Sequence, residues 1–155
     1  MSADAHGPGV RLPPPFIYVA FLAAGFALQG AARLPSFASW PAFFIGGAMA
    51  LVALGIAMLG FRAFRAAETT VRPDKPASSL MTQGIFARTR NPLYLSLLLL
   101  FCGIAVFFGA LGPLILAPLL VFTMQRLVVT REERYLTGKF GRDYVDYCRR
   151  VRRWI

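Results

Sequence analysis

Three stretches of this chain carry no charged residue at all: Phe16–Ala32, Pro41–Phe61 and Asn91–Gln125. Runs of this kind constrain the fold more than any other feature. A hydrocarbon layer is crossed by about 20 apolar helical residues. In that layer a helix is the simplest way to satisfy every backbone group within one segment. The first run, FIYVAFLAAGFALQGAA, is near the short limit for a crossing, and the second is long enough. The third is too long for one crossing, and Gly109, Gly112 and Pro113 mark a turn near its middle. The expected architecture is an all-α integral membrane protein of about four transmembrane helices, near 16–32, 41–61, 92–109 and 113–130. A flexible Gly/Pro-rich arm, 1–15, should precede a single domain over 16–155. A signal peptide is the weaker reading of the first run, because only Arg11 stands before it and no clean cleavage site follows.

Composition agrees. Charged residues make up 15% of the chain, against about 25% in soluble domains. That excludes an ordinary soluble domain and a disordered basic tail. The net charge of +10 could suggest nucleic acid, but its distribution argues otherwise. Of 17 basic residues, only Arg11 and Arg33 lie in the first 60. The rest flank apolar runs, the pattern of cytoplasmic loops. The loop 62–90 and the tail 131–155 should therefore be cytoplasmic, with both termini inside and the two short turns outside. Arginine outnumbers lysine 15 to 2, as in a GC-rich and so bacterial genome, which implies the inner membrane. A lone His6 and the separated Cys102 and Cys148 suggest neither a metal site nor a disulfide framework.

Within this frame, Gly46/Ala50 and Ala53/Ala57 have the small-residue spacing that lets helices approach closely in lipid. Pro73 and Pro76 preclude a continuous helix through the long loop. The fourth helix should run on into REERYL until Gly138 and Gly141 interrupt it. The tail then reads as a short amphipathic helix, with Phe140, Tyr144, Tyr147 and Val151 on one face.

The polar residues gather at the cytoplasmic ends. No Asp or Glu lies inside a span, which disfavours a proton-coupled transporter. Arg90 and Asn91 stand before Pro92, a residue suited to the first helical turn, so a polar or anionic group could meet free N–H groups there. A capped helix with snorkelling arginines explains the same pattern. Glu132 and Glu133 point about 100° apart on a helix, so one can face a pocket while the other pairs with arginine or water. Tyr144 and Tyr147 could face a cation or anchor the membrane interface.

Taken together, Thr69-Thr70-Val71-x-Pro73, Leu80-x-x-x-Gly84-x-Phe86 and Arg90-Asn91-Pro92-x-Tyr94 form an ordered string. It continues with Glu132-Glu133-x-x-Leu136, Phe140-Gly141-x-x-Tyr144-x-x-Tyr147 and Val151-Arg152-Arg153-Trp154. This string resembles the integral-membrane methyltransferases of the isoprenylcysteine carboxyl methyltransferase and phospholipid N-methyltransferase superfamily, over roughly residues 66–155. The resemblance implies S-adenosylmethionine as cofactor and a lipophilic methyl acceptor, with no metal. It implies a cofactor site of Gly84, Arg90, Asn91, Tyr94, Glu132, Glu133 and Tyr147. The best-known members carry histidine where this chain has Asn91, which can exchange hydrogen bonds but cannot titrate. A carboxylate acceptor would need a cation such as Arg126 or Arg88. An amine acceptor would need Glu133 to take its proton. The rival readings are a small transporter and a non-catalytic scaffold whose basic tail binds anionic lipid.

Overall fold

A computed structural model describes residue 9 and residues 12–67 and 79–154. Most of the expected N-terminal arm lies outside the described residues. So does the stretch with Glu68, Thr69-Thr70-Val71, Arg72, Pro73, Asp74, Lys75 and Pro76. The described residues form six α-helices and no strand: α1 (Pro14–Ala31), α2 (Trp40–Ala66), α3 (Pro92–Phe107), α4 (Leu111–Met124), α5 (Thr130–Phe140) and α6 (Arg142–Arg150). A 3₁₀ turn, Gly84–Ala87, precedes α3, and a π-helical segment, Gln125–Val129, joins α4 to α5 without a break.

Local chemistry explains the helix starts. α1, α2 and α3 each open with proline in the first turn, where its missing N–H costs nothing. The Ser39 hydroxyl also caps α2 by accepting from the Ala42 N–H. Against expectation, α2 runs past Phe61 to Ala66, so Arg62 and Arg65 continue a helix rather than begin a loop. Gly138 does not interrupt the last long helix, which ends only at Gly141, in a turn with φ +53°.

α1, α2 and the continuous Leu111–Phe140 helix are each long and apolar enough to cross a membrane, while α3 is a shorter apolar helix of 16 residues. The four alternate in direction. Gly25 of α1 packs on Pro113 near the start of α4, and Tyr18 joins Met124 and Val128 near its end. Gly46 of α2 packs on Phe107, and Gly60 on Leu93, which sets α2 antiparallel to α3. The Gly46/Ala50 pair is spent inside the bundle: at Gly46 even a Cβ would collide with the backbone of Gly103 and Phe107. The interior is apolar, with Leu120, Met124 and Val129 wholly buried. So is much of the outside: Leu51 on α2 is 71% exposed, with Phe44 and Met58 close behind. Apolar outside as well as inside is the pattern of helices solvated by lipid, and the chain is a membrane protein.

One polar side chain organises the end bearing the short turns. Gln29 Oε1 accepts from the Gly112 N–H at the start of α4 (2.9 Å), and its amide donates to the Leu34 carbonyl (2.7 Å). Ser36 donates to the Gly109 carbonyl (3.1 Å). The two short turns are thereby tied together, and every other polar cluster is left to the opposite end.

Candidate active site

At that opposite end the start of α3, the start of α5 and the last residues of the chain converge. The π segment makes this possible. It widens the helix over five residues, Thr130 Oγ donates back to the Gln125 carbonyl (2.7 Å), and α5 emerges rotated relative to a plain α continuation. Both glutamates of the adjacent pair then turn inward, to different partners. Glu132 accepts from the Tyr94 hydroxyl of α3 at 2.5 Å. The Tyr94 backbone carbonyl in turn accepts from the Tyr18 hydroxyl of α1 (3.0 Å). Glu133 is gripped by two arginines. Arg153 donates Nε and Nη2 in a fork, at 2.8 and 2.7 Å, and Arg90 approaches at 3.0 Å.

The C-terminal segment is laid across the entry to α3. The Arg90 N–H donates to the Arg152 carbonyl (3.0 Å). The Asn91 side-chain amide donates to the Arg153 carbonyl (2.9 Å), and the Thr89 hydroxyl points to the same oxygen. Asn91 therefore holds the tail rather than capping its own helix. Asn91 makes no side-chain cap bond to α3, its amide being turned to the tail. The tail helix is fixed from below. Tyr144, Tyr147 and Val151 are buried together, with Leu80, Leu136, Phe140 and Cys148 against them. Phe140, Tyr144, Tyr147 and Val151 do meet, but not as one helix face: Phe140 ends α5, Gly141 breaks the helix, and Val151 is extended chain beyond α6. The Tyr147 hydroxyl donates to the Phe86 carbonyl (2.6 Å), locking the 3₁₀ turn to α6, and burial pushes this phenol up to about 12.

Burial also acts on Glu132, which stands beyond the apolar run. It pushes that carboxyl up to about 7, while the Tyr94 hydrogen bond pulls the other way and the neighbouring Glu133 raises it further. The Arg90 guanidinium is mostly buried, yet its Nε–H has no hydrogen-bond partner among the described residues. An orphaned donor beside a carboxylate already shared by two arginines is a place for a further acceptor to bind.

Of the residues singled out from sequence, Arg90, Asn91, Tyr94, Glu132 and Glu133 form one cluster. Tyr147 supports it from behind. Gly84 opens the 3₁₀ turn with φ +61° and open space where a side chain would stand. Arg126 is not brought in: it is exposed on the π segment, its guanidinium 5.2 Å from the Phe122 ring centre. Arg88 is exposed as well. Sequence reasoning missed Arg153, Thr89, Cys148 and Tyr18. Arg153 stood in the motif string, but Arg131 and Arg134 flank the acid pair and offered nearer partners, so nothing singled it out. Cys148, which accepts from Arg90, and Tyr18 carried no signal either.

An S-adenosylmethionine amino-acid end needs a cation for its carboxylate and an anion for its ammonium. The cluster holds both within one ion-paired group, and the orphaned Arg90 Nε–H supplies a donor awaiting an acceptor. The donor set therefore fits that cofactor. A chain of 33% identity over 63 residues, covering 41% of this sequence and the whole of the other, is an uncharacterised protein of Haemophilus influenzae. A family model described as phospholipid methyltransferase matches residues 41–143, from α2 through the glutamate pair to the start of α6. With two thirds of its length under that match and its polar cluster inside a bundle of apolar helices, the chain belongs to the phospholipid methyltransferase family.

Proposed function

We propose that the protein transfers a methyl group from S-adenosylmethionine to a lipophilic acceptor at the cytoplasmic face of a bacterial inner membrane. The observation that carries this is the joining of Tyr94–Glu132 and Arg90–Glu133–Arg153 at the one polar end of the bundle. In this reading the chain has four spans, α3 included, and both termini are cytoplasmic. The polar end carries the arginine-rich loop and tail, while Arg33 is the one basic residue in the two turns opposite. Residues 16–155 act as a single domain.

When bound, the cofactor supplies a methyl group already activated by its sulfonium, so the protein's work is mainly alignment. Glu133 and Arg90 bind the amino-acid end, and Asn91 fixes the tail that closes over it. Tyr94 offers its ring face to a cation and its hydroxyl to Glu132. Glu132, buried and raised in pKa, accepts ribose hydroxyls. Gly84 leaves room above the 3₁₀ turn, and Tyr147 holds that turn in place. The acceptor arrives from lipid. A phospholipid amine must be neutral when it attacks, so its proton leaves to water before transfer, Glu133 being held at the amino-acid end. An isoprenylcysteine-like carboxylate needs no base, and Arg126 at the lipid boundary is the cation to meet it. The family name favours the phospholipid amine.

Calorimetry with S-adenosylmethionine on detergent-purified protein tests the cofactor site. Micromolar binding is expected, weakened tenfold or more (about 1.4 kcal/mol) in Glu133→Ala and Asn91→Ala. No binding by folded wild-type protein with lipid present would remove the enzyme reading and leave a transporter or scaffold.

A further inference from the structure

Two guanidiniums share one carboxylate in this site, so the Arg90–Glu133–Arg153 group carries one unmatched positive charge. The two arginines are not equivalent. The Arg90 side chain is 12% exposed and held by neighbours on two sides, whereas that of Arg153 is 41% exposed. The Arg153 segment is tied through the carbonyls of residues 152 and 153, and among the described residues the Arg153 side chain hydrogen-bonds to Glu133 alone. Breaking this fork outright would be costly, but an incoming carboxylate that remakes the fork can replace Glu133 on the water-facing arginine. Beside it lies the buried Nε–H of Arg90, with no acceptor among the described residues.

Resting on the cofactor reading above, we propose that Arg153 is an exchangeable arm that selects a carboxylate-bearing cofactor. It leaves Glu133 when the cofactor enters and, with the free Nε–H of Arg90, holds the incoming carboxylate. Glu133, keeping Arg90, is released to face the ammonium. One bidentate arginine–carboxylate pair is traded for another, so the exchange is close to balanced, and the unmatched charge and the orphaned donor are both satisfied. A ligand with the same adenosine, sulfonium and amine but no carboxylate leaves them unmet. Arg153 thereby becomes a specificity-determining residue contributed by a segment beyond the family match at residues 41–143.

The test titrates S-adenosylmethionine and its decarboxylated analogue into the full-length wild-type, Arg153→Gln and Arg153→Lys proteins. Wild type should prefer the carboxylate-bearing ligand by about tenfold or more. Arg153→Gln should lower that ratio towards one by weakening the carboxylate-bearing ligand alone, and Arg153→Lys should keep part of it. A second arm needs no change at Arg153. In Trp40→Phe, Trp154 is the one tryptophan left and sits next to the moving arm. Its quenching by acrylamide should change with S-adenosylmethionine and not with the decarboxylated analogue. Equal weakening of both ligands in Arg153→Gln, equal binding by wild type, or identical quenching with both ligands would overturn the proposal while leaving the cofactor reading intact. Failure of wild type to bind either ligand would instead sink the cofactor reading itself, and this proposal with it.

Discussion

Glu132 and Glu133 are neighbours in sequence and opposites in chemistry. Glu133 is paired with two arginines, whereas Glu132 is buried against one phenol. That difference can be read as a pH dependence. The folded protein holds the Glu132 proton up to about 7, while the unfolded chain releases it in the ordinary carboxylate range near 4.5. Between those values the folded state keeps a proton the unfolded state has lost, so stability falls as pH rises, and the whole cost is present above 7. A shift of this size corresponds to about 3 kcal/mol. Glu132→Gln keeps an acceptor for Tyr94 and removes the titration. Melting temperatures in detergent should therefore fall from pH 5 to pH 8 for wild type relative to the variant. Parallel curves would contradict the burial assigned to this carboxyl.

Among the elements, the π segment decides the site. A regular helix from Leu111 would carry α5 round by about 100° for each residue of register. Glu132 and Glu133 could not then meet Tyr94 and Arg90. Deleting Leu127, an exposed residue within the segment, should restore a plain helix. Such a protein should insert and keep its helical circular dichroism while losing S-adenosylmethionine binding by tenfold or more. Unchanged binding would show that the π segment does not aim the pair. The spans themselves were legible because charge-free runs report lipid exposure directly, and Pro41 and Pro92 marked the near ends of α2 and α3; α1 instead begins at Pro14, inside the stretch expected to be a flexible arm. The site was legible in part. Arg90, Asn91, Tyr94 and the glutamates stood at helix starts or in a charged stretch just past an apolar run. The π segment was not legible, since QRLVV differs from an α-helical sequence in nothing a periodicity registers. Nor was the Glu133–Arg153 fork, whose partners lie 20 residues apart and meet only because Gly141 turns α6 back on α5.

For the whole molecule, polarity of the two ends is the organising fact. Gln29, Ser36 and the short turns close one end with neutral hydrogen bonds, and the other collects nearly all the charge. The asymmetry predicts orientation: a fluorescent protein fused to either terminus should fluoresce in the cytoplasm, and alkaline phosphatase at the same places should be inactive. An active phosphatase at one terminus alone would require an odd number of spans and exclude the four-span arrangement. Methyl transfer to lipid at this charged end can be read directly with a labelled methyl group. Protein in nanodiscs of bacterial phospholipid would be incubated with S-adenosylmethionine carrying a labelled methyl, and the organic phase counted. Label should enter the phospholipid fraction with wild type and fall at least tenfold in both Asn91→Ala and Glu133→Ala. Bound cofactor with no label entering that fraction, across phospholipid and isoprenylcysteine acceptors alike, would contradict methyl transfer to lipid.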